Sequence, residues 1–380
     1  MHPIMLVVGT RPEGIKMMPV YFSLKKAQLP VVLCSTDQHS TLLQEVFDLF
    51  DVVPDIRLSL MKPGQDLVYL TSAVLEALKK VYQEWHPSLV LVQGDTTTVM
   101  AACLAAFYQQ IPVGHVEAGL RTGDIHSPFP EEANRQIAGI LATYHFAPTE
   151  SAMAHLLAEG KARDTVFYTG NTVVDALYSV QEMLLKNIIT VRAELRKALE
   201  VVDRHKGKAV LVTMHRRESF PDGIARNIAA IKKYAAAHPD TFFLYPHHPN
   251  PIVLQVLQEA HLEQQKNIFL FPPLAYHELV FVLNKVDCVM TDSGGIQEEA
   301  ISLCKPVLVL REKSERMEGV WAGFATIVGT DENVIIEKLT KVLTQKNNAI
   351  EKKQRSVYGD GQAAERIVRI ICKLSNEKDT

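Results

Sequence analysis

The sequence of 380 residues has no long apolar run. A transmembrane helix needs about 20 apolar residues in succession, and a signal peptide needs an apolar region of roughly 7 to 15 residues. The first apolar stretch, Ile4–Val8, is followed almost at once by the polar residues Thr10 and Arg11. We therefore expect neither a signal peptide nor a membrane partner.

Cysteine is scarce, and its distribution does not suggest a disulfide framework. The five cysteines are odd in number and far apart: Cys34, Cys103, Cys288, Cys304 and Cys372. Disulfide-rich secreted domains are usually small and carry an even number of cysteines. We predict buried free thiols in a reducing cytoplasm.

A charge bias and a metal-binding pattern are missing as well. The formal net charge is -3, with Lys and Arg scattered along the chain, so there is no basic patch typical of nucleic-acid binding. His247 and His248 are adjacent, and His277 has no second histidine one helical turn later, so no zinc pattern is complete. We expect no nucleic-acid partner and no metal.

What the sequence does contain is a series of short apolar runs that alternate with helical patterns. The runs are continuous in Val, Ile and Leu, which is typical of parallel strands covered by helices on both faces. The predicted strands are 4–8, 31–35, 89–93, 113–116, 144–147 and 166–169 in the first half, and 209–213, 241–245, 268–271, 288–291, 306–310 and 326–329 in the second. This pattern predicts an α/β fold with two Rossmann-like α/β/α domains.

The segment 171–207 is the candidate boundary, because it holds two helical runs and a charged stretch between the two strand series. We expect an N-terminal domain over 1–172 and a C-terminal domain over 173–362. The last helical pattern, 363–375, could pack on the N-terminal domain.

Ligands of open parallel sheets bind beyond the carboxyl ends of the strands, so the residues there are the candidates for function. After the first strand, Arg11 and Lys16 lie near a helix start, where cations oppose the helix dipole and suggest an anionic ligand. Three carboxylates of the first half, Asp95, Glu117 and Glu131, follow strand ends or begin the next helix. Each alone resembles an ordinary cap, but together they suggest acid–base chemistry.

The second half has its own candidate anion site. His215 comes directly after a strand and is followed by two arginines. Ser293, Gly294 and Gly295 form a small-residue turn between a strand and a helix, where backbone N–H groups can hold a phosphate. We interpret this turn as a phosphate site.

A string of motifs, in order and from Val7 to about Gly329, resembles the non-hydrolysing UDP-N-acetylglucosamine 2-epimerases. The matching motifs are Gly9-Thr10-Arg11-Pro12-Glu13-Gly14-Ile15-Lys16, Gln93-Gly94-Asp95-Thr96, Glu117-Ala118-Gly119-Leu120-Arg121, Pro130-Glu131-Glu132-Ala133-Asn134-Arg135, Thr169-Gly170-Asn171-Thr172, His215-Arg216-Arg217-Glu218 and Asp292-Ser293-Gly294-Gly295-Ile296-Gln297-Glu298-Glu299. Such a series is far more specific than any single motif.

The resemblance implies the two-domain GT-B fold of glycosyltransferases, with the ligand in a cleft between the domains. It also implies a bacterial cytoplasmic homodimer that interconverts UDP-GlcNAc and UDP-ManNAc for surface polysaccharide synthesis, without a cofactor. The catalytic residues it implies are Asp95, Glu117, Glu131 and His215. The residues it implies for substrate and UDP binding are Arg11, Lys16, Arg135, Ser293, Gly294, Gly295, Glu299 and Arg316.

The implied reaction eliminates UDP to give bound 2-acetamidoglucal and then adds UDP back. It needs cations and N–H donors for the departing diphosphate, a base at C2 of the sugar, and an acid on the opposite face. The residues do not indicate which carboxylate serves which face.

Other functions remain open at this point. A hydrolysing 2-epimerase would release UDP and free ManNAc, but its first motif typically lacks a lysine at the position of Lys16. A 2-epimerase of a modified UDP-HexNAc usually opens with Gly-Ala-Arg-Pro-Gln rather than Gly-Thr-Arg-Pro-Glu. A glycosyltransferase has no reason to carry three such carboxylates, and the intact acidic set argues against an inactive UDP-sugar sensor.

Overall fold

Two parallel β-sheets, each in a unit of its own, form the framework of the protein. The computed structural model describes residues 2–38, 40–62, 64–214, 222–248, 250–312, 316–345 and 357–376. One compact unit comprises Met1–Tyr178 and Tyr358–Thr380, and the other comprises Ser179–Val357. The α/β class with parallel sheets, predicted from the apolar runs, is confirmed.

The first unit is built on a seven-stranded sheet. Its strands are β1 (Ile4–Val8), β2 (Val31–Ser35), β3 (Ile56–Arg57), β4 (Leu89–Gln93), β5 (Val113–Val116), β6 (Tyr144–Ala147) and β7 (Val166–Tyr168). The helices up to the end of this segment are α1 (Arg11–Lys26), α2 (Ser40–Leu49), α3 (Leu67–Trp85), α4 (Thr97–Tyr108), α5 (Glu131–Leu141), α6 (Glu150–Ala158) and α7 (Thr172–Leu185). The strand order is β3-β2-β1-β4-β5-β6-β7, with every pair parallel.

Both faces of the first sheet are covered, which explains why its strands are apolar throughout. All five residues of β1 are buried. Met5 and Val7 join a core cluster with residues of α3 and α4, whereas Leu6 points to the opposite face because side chains alternate along a strand. Helix α1 contacts β1.

The second unit repeats the plan with six parallel strands. They are β8 (Lys208–Thr213), β9 (Thr241–Pro246), β10 (Ile268–Phe271), β11 (Cys288–Thr291), β12 (Val307–Val309) and β13 (Ala325–Ile327). The helices are α8 (Ala193–Arg204), α9 (Asp222–Ala237), α10 (Pro251–Ala260), α11 (Tyr276–Lys285), α12 (Gly294–Ser302), α13 (Met317–Trp321) and α14 (Glu332–Thr344). The order β10-β9-β8-β11-β12-β13 is that of a dinucleotide-binding sheet.

All twelve predicted strands are present, and no strand end differs from its predicted position by more than two residues. The sequence missed β3, which has only two residues and pairs with the end of β2. So short a strand has no periodicity that a sequence pattern can reveal.

The turn from β1 into α1 is closed by a buried carboxyl group. The Oε2 atom of Glu13 accepts a hydrogen bond from the backbone N–H of Gly9 (2.9 Å), and its Oε1 atom accepts one from Thr10 Oγ1 (2.7 Å). Only 1% of Glu13 is exposed. Burial raises the pKa of Glu13 to about 7, because the carboxylate loses its hydration there.

Gly9 is required by close packing. A Cβ atom at this position would lie 2.4 Å from Thr98 Oγ1 and 2.6 Å from Thr36 Oγ1. Thr36 follows β2 and Thr98 lies in the first turn of α4, so three neighbouring segments meet at the carboxyl end of β1.

The chain returns to the first unit in its last helix, α15 (Ala363–Asn376), which packs against α1. Asp175, on α7, accepts hydrogen bonds from the backbone N–H groups of Ala363 (3.2 Å) and Ala364 (2.8 Å). These N–H groups have no acceptor within their own helix. Asp175 therefore caps α15 from another part of the chain.

No helix in the described ranges is both long and apolar enough to cross a membrane. All five cysteines are free, as predicted. Cys34, Cys103 and Cys288 are buried, whereas Cys304 and Cys372 are only partly buried.

We predict that Asp175→Ala loosens α15 and lowers the free energy of unfolding by about 1 to 2 kcal/mol, the range typical of lost helix caps. Thermal unfolding and hydrogen exchange of the first amides of α15 measure this effect. The control is Glu182→Ala on the same helix, because Glu182 only makes an exposed ion pair with Lys186. Equal effects of the two substitutions would contradict the capping role of Asp175.

We also predict that Glu13 makes stability depend on pH. Its folded pKa lies above the value of an unfolded glutamate, so the stabilising proton is lost as the pH rises from about 4.5 to about 7. In urea titrations, the free energy of unfolding of Glu13→Gln minus that of the wild type should rise by about 3 kcal/mol across this pH range. The exposed Glu84 provides the control substitution Glu84→Gln, which should show no such trend. Parallel curves for Glu13→Gln and the wild type would rule the effect out.

Candidate active site

The predicted residues of the first unit gather at the carboxyl edge of its sheet. Strand β4 pairs in parallel with both β1 and β5, so the segments after these three strands are neighbours. Arg11 and Lys16 lie on α1 after β1, Asp95 follows β4, and Glu117 follows β5. The strand order also reverses between β1 and β4, which is where open α/β sheets bind ligands.

Glu117 forms a buried ion pair. Its Oε2 atom accepts hydrogen bonds from Lys16 Nζ and from Gln93 Nε2, the latter at 2.8 Å. The Lys16 side chain is 9% exposed and that of Glu117 is 6% exposed. Glu117 also has a φ of 64°, in the left-handed region that non-glycine residues rarely adopt. Such backbone strain is common at functional sites.

Asp95 is paired with Arg135, which lies on α5. Arg135 Nη2 donates a hydrogen bond to Asp95 Oδ2. The Arg135 side chain is 5% exposed, whereas 24% of the Asp95 side chain remains accessible. The resemblance assigned Arg135 to substrate or UDP binding, and the structure places it against a predicted catalytic carboxylate.

Glu132 anchors Arg135, although the sequence analysis did not select it. Its fully buried carboxylate accepts hydrogen bonds from Arg135 Nη1 (3.2 Å), the backbone N–H of Thr122 (3.1 Å) and Gln136 Nε2 (3.0 Å). A buried charge needs such donors to offset its lost hydration. Its three-residue spacing from Arg135 on a predicted helix was the signal that could have revealed this pair.

Glu131 is the first residue of α5 and is partly buried. Residues four apart share one face of a helix, so Glu131 lies one turn from Arg135, the partner of Asp95. Among the described residues, its carboxylate has neither a hydrogen bond nor an ion pair.

Glu13 is the second acidic residue that the sequence analysis left without a role, although it belongs to the first motif. Besides burial, the charge of Asp95 helps to raise its pKa, whereas hydrogen bonds from Thr10 and Gly9 lower it. Gly9 packs closely against Thr98, so the Glu13 carboxyl group lies close to the segment that carries Asp95.

The predicted phosphate site lies at the start of α12, where the strand order of the second sheet reverses between β8 and β11. Ser293 precedes the helix, and Gly294 and Gly295 are its first two residues. Backbone N–H groups in a first helical turn have no acceptor within the helix and attract anions. A Cβ atom on Gly295 would meet no atom of the described residues within 4 Å, so these residues leave space beside this turn.

Two predicted UDP-binding residues, Glu299 and Arg316, are buried in the same unit, at 5% and 7% exposure. Arg316 Nε donates a hydrogen bond of 2.6 Å to Oε1 of Glu298. Glu298 and Glu299 both belong to α12, so Arg316 is anchored to the helix that begins with the phosphate site.

His215, the remaining predicted catalytic residue, lies outside the described residues. The strand before it, β8, ends at Thr213. The Oγ1 atom of Thr213 lies 2.6 Å from that of Thr291, the last residue of β11.

The described site residues form two groups, one in each unit. The first group combines carboxylates that can transfer protons with cationic side chains, and it contains Arg11, Lys16, Asp95, Glu117, Glu131 and Arg135. The second, which can bind an anion, contains Ser293, Gly294, Gly295, Glu299 and Arg316. Within the described ranges, no three His, Cys, Asp or Glu side chains are placed to hold a metal ion.

The chain matches one protein family over nearly its whole length. The family model described as UDP-N-acetylglucosamine 2-epimerase matches residues 23–372. Over 370 residues, the chain is 46% identical to the UDP-N-acetylglucosamine 2-epimerase of Escherichia coli (strain K12), with 97% of this chain and 98% of that protein covered.

Solved structures show the same fold. The UDP-GlcNAc 2-epimerase of Neisseria meningitidis, bound to UDP-GlcNAc, has a TM-score of 0.87 and 41% identity, covering 98% of this chain and 100% of that chain. The enzyme of Methanocaldococcus jannaschii, in complex with UDP-GlcNAc and UDP, has a TM-score of 0.82 and 31% identity, covering 98% and 99%. The expected GT-B fold is thereby confirmed. By its motifs, its fold and its full-length similarity, the chain belongs to the UDP-N-acetylglucosamine 2-epimerase family.

Proposed function

We propose that the protein interconverts UDP-GlcNAc and UDP-ManNAc by reversible epimerisation at C2 of the sugar, without net hydrolysis. The observation that carries this proposal is the pair of carboxylates, Asp95 and Glu117, each held by a cation at one sheet edge. Similarity to the N. meningitidis structure bound to UDP-GlcNAc supports the choice of substrate.

The second unit holds the leaving group in this proposal. The diphosphate binds at the start of α12, where Gly294 and Gly295 permit close approach to the backbone N–H groups. Arg316, anchored by Glu298, supplies positive charge, and Glu299 accepts hydrogen bonds from the ribose hydroxyls. Donors fixed in advance around developing negative charge lower the barrier to its departure.

Loss of the leaving group and proton transfer have to be coupled. The C2 hydrogen is not adjacent to a carbonyl group, so a carboxylate alone removes it too slowly. When the bond between C1 and the UDP oxygen breaks, the electron pair of the C2–H bond forms the C1–C2 double bond and a carboxylate takes the proton. The products are bound 2-acetamidoglucal and UDP. Addition of the UDP oxygen to C1 and protonation of C2 from the opposite face complete the epimerisation.

The first unit supplies the proton-transfer groups. Asp95 combines an accessible carboxylate with a guanidinium that orients it, as a base at C2 requires. Glu117 and Glu131 are the candidates for the opposite face. Glu117 is fixed by Lys16 and Gln93, whereas Glu131 occupies the first turn of α5.

The Lys16–Glu117 pair supports the non-hydrolysing form of the reaction. A hydrolysing enzyme must present a base to a water molecule, but Glu117 is 6% exposed and receives hydrogen bonds from two side chains. This arrangement disfavours activation of water at Glu117. The lysine is also the residue that distinguishes the first motif from that of hydrolysing relatives.

On the basis of the resemblance, the proposal also covers the assembly and the location of the protein. The protein is a cytoplasmic homodimer that needs no cofactor and supplies surface polysaccharide synthesis. The proposed domains, an N-terminal domain over 1–172 and a UDP-binding domain over 173–362, differ by a few residues at each boundary from the compact units, since residues 173–178 and 358–362 belong to the first unit. The five free cysteines agree with a reducing compartment.

Proton NMR of UDP-GlcNAc with the protein in D₂O tests the reaction. We expect deuterium at C2 and appearance of the manno isomer. Asp95→Asn, which keeps the shape of the side chain but removes its basicity, should slow both by about 10² to 10⁴ while UDP affinity stays within about threefold of the wild type. Stoichiometric free UDP and free ManNAc would instead establish a hydrolysing enzyme, and wild-type turnover in the variant would exclude Asp95 as the base.

Gly295→Ala tests the diphosphate site. The new methyl group would contact none of the described residues, so the fold should keep its stability to within about 1 kcal/mol. If the diphosphate occupies that space, calorimetry should show UDP affinity reduced by about tenfold or more, equivalent to about 1.4 kcal/mol. Gly139→Ala on α5 is the control, since its Cβ would meet only the end of the Arg121 side chain, at 3.1 Å. Unchanged UDP affinity in Gly295→Ala would place the diphosphate elsewhere.

A further inference from the structure

Strand β5 holds Gly94, the residue before Asp95, through both its backbone N–H and its carbonyl group. The backbone N–H of Gly94 donates a hydrogen bond to the carbonyl oxygen of Val116 (3.1 Å). The carbonyl oxygen of Gly94 lies 2.7 Å from Nε2 of His115. Gly94 has a φ of 82°, so the chain turns sharply at the point where these two bonds hold it.

The next peptide is held by helix α5. Asn134 Nδ2 donates a hydrogen bond of 3.0 Å to the carbonyl oxygen of Asp95. The adjacent residue on the helix, Arg135, donates to the Asp95 carboxylate. Two successive carbonyl groups and the carboxylate are therefore each bound by a different side chain. This set of contacts, from His115, Asn134 and Arg135, is called the Asp95 clamp below.

The His115 ring can act only as a neutral donor here. It is 1% exposed, and burial lowers its pKa to about 4. A neutral imidazole has one N–H, and the contact with the Gly94 carbonyl places this hydrogen on Nε2. The Nδ1 atom is buried and has no hydrogen-bond partner among the described residues. A buried polar atom is usually hydrogen-bonded, so this atom is an exception.

We propose that His115 and Asn134 are positioning residues that fix the direction in which Asp95 presents its carboxylate to C2 of the substrate. This inference rests on the epimerase function proposed above. Neither residue touches the sugar in this role, and each acts through a main-chain carbonyl group of the turn. A displacement of about 1 Å in a reacting group can cost about 10²-fold in rate.

Substitutions of His115 and Asn134 distinguish the effect of losing the hydrogen bonds from the effect of losing side-chain packing. His115→Leu and Asn134→Leu fill the space but remove the donors, whereas His115→Gln returns an N–H donor near the position of Nε2. We expect kcat to fall by about 10- to 100-fold in both leucine variants and to recover largely in the glutamine variant. KM for UDP-GlcNAc and affinity for UDP should change by less than about threefold, because the leaving-group site is in the other unit.

A primary deuterium isotope effect distinguishes positioning from loss of folded protein. Fewer active molecules lower kcat equally for UDP-GlcNAc with hydrogen or deuterium at C2, so the isotope effect stays unchanged. A displaced base slows C2–H cleavage itself, so the isotope effect on kcat should rise in His115→Leu and Asn134→Leu. If His115→Leu fails to fold, the comparison of Asn134→Leu with the wild type decides.

His145→Leu is the matched control. His145 pairs with His115 in register across β5 and β6, is equally buried, and has no hydrogen bond to the Asp95 turn in the described part of the chain. It should lose stability but keep the wild-type isotope effect. If the wild type exchanges C2 hydrogen but both leucine variants retain its kcat and isotope effect, the clamp is refuted while the epimerase function stands. If the wild type shows no exchange, both proposals fall.

Discussion

Where β1, β4, β5 and α5 meet, the structure depends on hydrogen bonds and ion pairs that replace the lost hydration of buried carboxyl groups. Glu13, Asp95, Glu117 and Glu132 are buried or partly buried there. Removing a carboxylate from water costs several kcal/mol unless donors replace its hydration. The sheet meets this requirement by its geometry: parallel strands bring the segments after their carboxyl ends together, so donors from one loop reach carboxylates of the next.

The kind of partner separates these four groups chemically. Asp95, Glu117 and Glu132 each receive a hydrogen bond from a cationic side chain, Arg135 or Lys16. The close partners of Glu13 are neutral donors, and its pKa rises to about 7. One small region therefore contains carboxylates that are held by fixed charge beside a carboxyl group that can exchange a proton near neutral pH. Such separation of acidic groups by environment is how one site performs both acid and base steps.

The sequence predicted the fold well because continuous apolar runs are a local signal. Every described strand except the two-residue β3 could be located, and the functional motifs could be placed after a strand or at the start of the next helix. The partners could not be predicted, because the pairs Lys16–Glu117 and Asp95–Arg135 are 101 and 40 residues apart. No local pattern states which distant donor a carboxylate will meet. The resemblance assigned Lys16 and Arg135 to substrate or UDP binding, which stays a prediction, and the structure shows that each is also bound to a carboxylate.

The sequence around Lys16 indicates that this residue needs an anionic partner but does not identify that partner. A cation near the start of α1 is unfavourable beside the helix dipole, which indicates a compensating anion. The structure supplies that anion internally, as Glu117. A proton taken up by Glu117 would weaken this compensation, because the carboxyl group would lose the negative charge that pairs with Lys16. In the proposed reaction, Glu117 is a candidate for the opposite face of C2, where it would take up the proton when UDP-ManNAc is the substrate. The charge of the Lys16–Glu117 ion pair would then change during the reaction in that direction.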